Sequence, residues 1–88
     1  MGHISFQELQ KLLDEAAKLV AVGSEYRHYK TADSRYKVTG LSILEASDTV
    51  AVRYASLLSP NVEFIRPIED WLAKVEFEDK TAARFTKI

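Results

Sequence analysis

At Gly23 the hydrophobic period of this chain changes, and that change limits its fold more than any other feature. From Ser5 to Val22 the apolar residues Phe6, Leu9, Leu12, Leu13, Ala16, Ala17, Leu19 and Val20 recur at threes and fours, which gathers them on one side of an α-helix. Beyond Gly23, β-branched and aromatic residues rise and the period falls to two, as in half-buried strands. A chain of 88 residues is too short for two cores, so the helix and the strands must share one. The expectation is a single domain over 1–88, with a helix over 5–22 and a β-rich part over 23–88.

Local signals sharpen this. Ser5 and Glu8 have capping-box spacing, and Gly23 offers a left-handed stop for the helix. "EYRHYK", "RYKVTGLSIL", "TVAVRYASLL" and "VEFIRP" read as successive strands, with turns at Asp33-Ser34, Ser47-Asp48 and Ser59-Pro60-Asn61. Such short connections favour an antiparallel meander. Gly40 falls inside the second strand, where glycine commonly marks a bulge or bend. Pro67 opens "PIEDWLAKV", in which Ile68, Trp71, Leu72 and Val75 share one side of a short helix. Trp71 is expected to plug the end of a barrel. The tail reads as a hairpin turning near Asp79-Lys80, with Phe77 before the turn and Phe85 and Ile88 after it. The predicted fold class is therefore α+β, mainly β. It is a small, strongly bent antiparallel sheet or SH3-like barrel, with an N-terminal helix across one opening and a short helix before the last strands.

Composition excludes several kinds of chemistry. With no cysteine and two histidines there are no disulfides, no thiolate nucleophile and no cysteine-based zinc site, so neither a metal nor another cofactor is expected. No apolar run nears the ~20 residues that span a bilayer, and no signal-peptide pattern opens the chain, which makes the cytoplasm the expected location. Twelve basic residues against thirteen acidic ones argue against reliance on counterion release along a duplex. No nucleophile with its base, no pair of inward carboxylates and no phosphate loop is evident, so catalysis is not expected.

The densest chemistry is "YRHYK", Tyr26 to Lys30. Alternation sets Tyr26, His28 and Lys30 on one face of a strand and Arg27 and Tyr29 on the other. The plain reading is a half-exposed strand with one tyrosine ring on the core and the charged tips in water. The sharper reading assembles Arg27, His28 and Lys30 with Arg53 and Arg66 from neighbouring strands into an anion pocket flanked by Tyr54. Arginine suits that role because its planar fork matches phosphate and stacks on rings. Arg53 stands among small residues in "VAVRYASL", and Arg66 also has a plain alternative, a surface ion pair with Glu63, Glu69 or Asp70.

Taken in order, "YRHYK…YKVTGLS…VAVRYASL…FIRPIEDWL…V…RFTKI" resembles the small bacterial family known as domain of unknown function 1653. The likeness runs from Val22 to Ile88. It takes in Tyr26 to Lys30, Tyr36, Val38, Gly40, Arg66-Pro67 with Glu69, and Arg84-Phe85. It departs at Arg53-Tyr54, where the family pattern has tyrosine followed by arginine; the exchange turns the arginine to the opposite face unless a bulge restores it. The helix before Gly23 is an addition to the minimal domain. The family is sometimes joined to nucleotide-processing enzymes, and the resemblance therefore implies a lean toward nucleotides.

Two functional expectations follow. The first is a non-catalytic module that binds a phosphate-bearing small molecule, such as a nucleotide, or single-stranded nucleic acid. It would use Arg27, His28, Lys30 and Arg66, with Tyr26 or Tyr54 stacking on a base. The second is a protein-interaction or homodimerisation module using the added helix or a strand edge.

Overall fold

The computed structural model describes residues 4–31 and 33–88. Met1, Gly2, His3 and Ala32 lie outside the described residues. Helix α1 runs Phe6–Leu19, and the Ser5 Oγ accepts the Glu8 N–H at 3.2 Å, so the serine caps it as its spacing predicts. The helix ends three residues before Val22 because Val20 turns to extended backbone (φ −127°, ψ 118°) and delivers its side chain wholly into the core. Gly23 is thus not the helix stop. Its φ of +87° serves a turn closed by the Ser24 N–H on the Ala21 carbonyl at 3.1 Å, a backbone region glycine occupies at no steric cost.

The strands are β1 (Glu25–His28), β2 (Tyr36–Leu44), β3 (Thr49–Ser56) and β4 (Glu63–Pro67), followed by α2 (Ile68–Leu72), β5 (Lys74–Phe77), β6 (Lys80–Ala83) and β7 (Phe85–Lys87). The first four form the expected antiparallel meander. β7 then returns to the outer side of β1, giving the order β4-β3-β2-β1-β7, while β5 and β6 make a separate hairpin. The hairpin turns at Glu78-Asp79, both with positive φ, rather than one residue later. Gly40 does mark a bulge: the β2–β3 register shifts between Val38, opposite Tyr54, and Gly40, opposite Arg53.

The sheet is strongly bent but stays open, so the SH3-like barrel alternative is not reached. β4 and β7 are opposite edges of five strands, which on a flat sheet would stand roughly 19 Å apart. Yet the Arg66 guanidinium of β4 lies 5.6 Å from the centre of the Phe85 ring of β7. The two edges meet through side chains, not backbone hydrogen bonds. The concave face they enclose holds the core: Val20, Tyr26, Val38, Val52, Tyr54, Trp71 and Phe85, with Tyr36, Leu41 and Ile68 packed around them. Trp71 fills the trough of this open sheet instead of a barrel end, stacking on Phe85 with centroids 3.8 Å apart and planes 7° from parallel.

Candidate functional site

β1 ends at His28, so Tyr29 and Lys30 belong to the loop that follows and the expected strand alternation stops short of them. The loop is tied back locally. Ser34 Oγ accepts the His28 N–H at 3.1 Å and donates to the Thr31 carbonyl at 2.6 Å. His28 Nδ1 accepts the Lys30 N–H at 3.2 Å, which leaves the imidazole proton on Nε2. Partial burial, and then the charges of Arg66, Arg84 and Lys30, push the His28 pKa below its ordinary value, so the ring is a neutral donor near pH 7.

These residues open onto a cavity of about 410 Å³ on the concave face, walled by His28, Lys30, Tyr36, Tyr54, Phe64, Arg66 and Phe85, with Thr31 at its rim. Among the described residues its lining holds no carboxylate. Arg66 does not form the surface ion pair that was its plain alternative. Its Nε donates to the Tyr54 hydroxyl at 3.3 Å and its central carbon lies over the Phe85 ring, 5.6 Å from the centre, with the Nη groups left to bind. Phe85 is the floor, touched edge-on by His28, Tyr36 and Tyr54 at 5.1, 6.1 and 5.5 Å.

Of the residues the sequence singled out, His28, Lys30, Tyr54 and Arg66 come together here, and three do not. Arg27 points away from the core, because its neighbour Tyr26 points in. Tyr26 is buried, its hydroxyl accepting the Ala21 N–H at 2.9 Å and its ring set against Trp71, so it presents no stacking surface. Arg53 lies on the convex face, where it pairs with Glu63 at 3.3 Å across the place a side chain at Gly40 would occupy. The bulge that could have restored the arginine to the inner face is in β2, not β3, and leaves it outside. Tyr54 lines the cavity, but its faces are spent on Tyr36, Trp71 and Phe85, and it is only 6% exposed. The ring open to a ligand is Phe64, 47% exposed and tilted against Tyr54.

Phe64 was missed because a lone phenylalanine in "VEFIRP" reads as core. Its alternation with Arg66, a polar residue on the same face, was the available signal. Arg84 is structural: its Nε donates to the Asp70 carbonyl at 2.9 Å, holding α2 against the start of β7. Among the described residues, no group of three or more histidines, cysteines or carboxylates is placed to hold a metal ion. Nor is any helix among them long and apolar enough to cross a membrane.

Residues 24–87, which include every residue of this cavity, match the family model described as Protein of unknown function (DUF1653). The chain belongs to this family. A crystal structure of a DUF1653 protein from Bordetella bronchiseptica superposes with a TM-score of 0.64 at 27% identity, over 75% of this chain and 85% of that one. No curated protein matches the chain. Helix α1 precedes the residues that match the family model.

Proposed function

We propose that the chain is a non-catalytic binding module for a phosphate-bearing small molecule with a flat ring, of about the size of a mononucleotide. The observation that carries this reading is the convergence of Arg66, Lys30 and the His28 Nε2–H with an exposed Phe64 ring in one carboxylate-free cavity. The phosphate would take the Arg66 fork and the Lys30 and His28 donors, and the ring would lie on Phe64. A volume of about 410 Å³ falls in the range of small-molecule pockets. Three donor side chains lining one cavity suit a single phosphate group better than a strand-length track. Ser34 is poorly placed to act as a nucleophile, since its hydroxyl is committed to Thr31 and His28. A cytoplasmic setting belongs to the same proposal.

The test is a thermal-shift screen against mononucleotides, phosphosugars, inorganic phosphate and short single-stranded oligonucleotides, at low and moderate salt. Ligand at 100 times its Kd adds about 2.7 kcal/mol and moves the midpoint by on the order of 10 °C. The shift should vanish in Arg66→Ala and persist in Arg27→Ala and Arg53→Ala. A shift given by oligonucleotides alone, falling by about 0.7 log units per tenfold salt for each phosphate contacted, would replace the small molecule with single-stranded nucleic acid. No shift with any ligand, or one that survives Arg66→Ala, defeats the proposal.

A further inference from the structure

β4 is an outer strand of the sheet, and among the described residues no strand lies beyond it. Unpaired edges are templates for further strands, and folded proteins usually blunt them with charge or by covering them. Along this edge Glu63 and Arg66 supply charge and Pro67 closes the end. Around those charges it is apolar: Val62, Phe64 and Ile65 are exposed, Ile65 by 59%, and so are Leu57 and Leu58 in the turn before the strand, Leu58 by 95%. Five large exposed apolar side chains thus fall within nine residues at the strand and the turn that leads to it, and exposed apolar concentrations of this kind commonly mark interaction sites.

The side-chain pattern says what fits there. Phe64 and Arg66 share the concave face, opposite Tyr54 and Val52, while Glu63, Ile65 and Pro67 share the convex one. In an antiparallel pair, residues directly opposite each other lie on the same face, so two copies related by a two-fold axis through β4 can pair only about a residue that faces itself. Centred on Arg66, the two guanidiniums would collide in charge. Centred on Phe64, Arg66 would face Val62. Centred on Ile65, all five residues pair: isoleucine meets isoleucine, Glu63 meets Pro67, and each Phe64 meets the other copy's Arg66 as ring against cation. No like charges are opposed in that register.

We propose that two copies of the chain pair antiparallel along β4 about Ile65, making one continuous ten-stranded sheet. The partner's Phe64 then stands beside Arg66 at the open side of the cavity, so each site is completed by the other copy. The pairing rests on the strand edge alone; its effect on ligand binding rests on the function proposed above.

Light scattering of the full chain from low to high micromolar concentration should show a mass rising from one copy to two, and Ile65→Lys should hold it at one. Because the chain has no cysteine, Ile65→Cys offers a single thiol that the proposed register sets against its own copy. It should cross-link under mild oxidant at least tenfold faster than Thr39→Cys, which sits at the β2 bulge. A mass that stays at one copy, a dimer that survives Ile65→Lys, or equal cross-linking rates would overturn the pairing. With inorganic phosphate and adenosine monophosphate as probes, Ile65→Lys should weaken binding several-fold although it lies on the convex face; unchanged affinity would overturn the shared site. Absence of binding by either form would defeat the proposed function, while the mass and cross-linking results would still decide the pairing.

Discussion

Replacing Phe85 tests the core and the floor of the site at once. The ring is 7% exposed, stacks on Trp71 at 3.8 Å, meets three other aromatic edges and carries the Arg66 guanidinium at 5.6 Å. Truncating a buried phenylalanine to alanine costs about 3–5 kcal/mol. A chain of 88 residues has about 4–13 kcal/mol of stability in total, so Phe85→Ala should leave little or no folded protein. Phe85→Leu is the sharper experiment, because it keeps most of the volume and removes the stacking and the cation contact. Its cost should be about 1–2 kcal/mol, which lowers the melting temperature by roughly 5–15 °C in a domain of this size. Trp71 is the sole tryptophan and the stacking partner, so its emission during urea unfolding reports the change directly. A Phe85→Leu midpoint equal to the parent's, with unchanged Trp71 emission, would refute the reasoning, since it would mean that no stack links α2 to β7.

Further predictions concern the loop and the turns. Because the folded pKa of His28 is depressed below its unfolded value, its contribution to stability is fully present above about pH 6.5 and is lost as pH falls toward the folded pKa; the decline in urea midpoint between pH 7 and pH 5 should be shallower in His28→Gln. Gly23→Ala places a side chain at φ +87° and should cost about 1–2 kcal/mol in urea unfolding; a neutral result would mean that the turn relaxes. At the β5–β6 turn, where Glu78 and Asp79 carry φ of 53° and 62°, a mirror-image turn prefers Asn-Gly, so Glu78→Asn with Asp79→Gly should raise stability by about 1 kcal/mol. A midpoint that fell instead would count against that turn geometry.

Elements whose signals are local were legible in the chain. Ser5 and the spacing of apolar residues after it specify where α1 begins. The two-residue alternation around Val38, Val52 and Tyr54 specifies strands with one buried face, and Gly40 marks the bulge that a bent sheet requires. Pro67 and the Ile68/Trp71 spacing announce α2. Each depends on neighbours within about one turn or one strand, which the sequence displays directly.

What only the tertiary structure decided are contacts between residues far apart in sequence. Nothing in "RFTKI" says that β7 will return to β1, or that the sheet will curl until Arg66 reaches Phe85 without closing its backbone. That curl turned a dense run of charge in "YRHYK" into one wall of a site and placed Phe64 and Phe85 as its other members. Arg27 and Arg53 stand on the convex side. The choice among equally polar side chains was made by strand alternation about a buried neighbour: Tyr26 had to be inside, so Arg27 was outside, and the bulge fell in β2 rather than β3, so Arg53 stayed there. Periodicity determines which residues share a face of their own strand, whereas the pairing and bending of strands determine which faces look at one another.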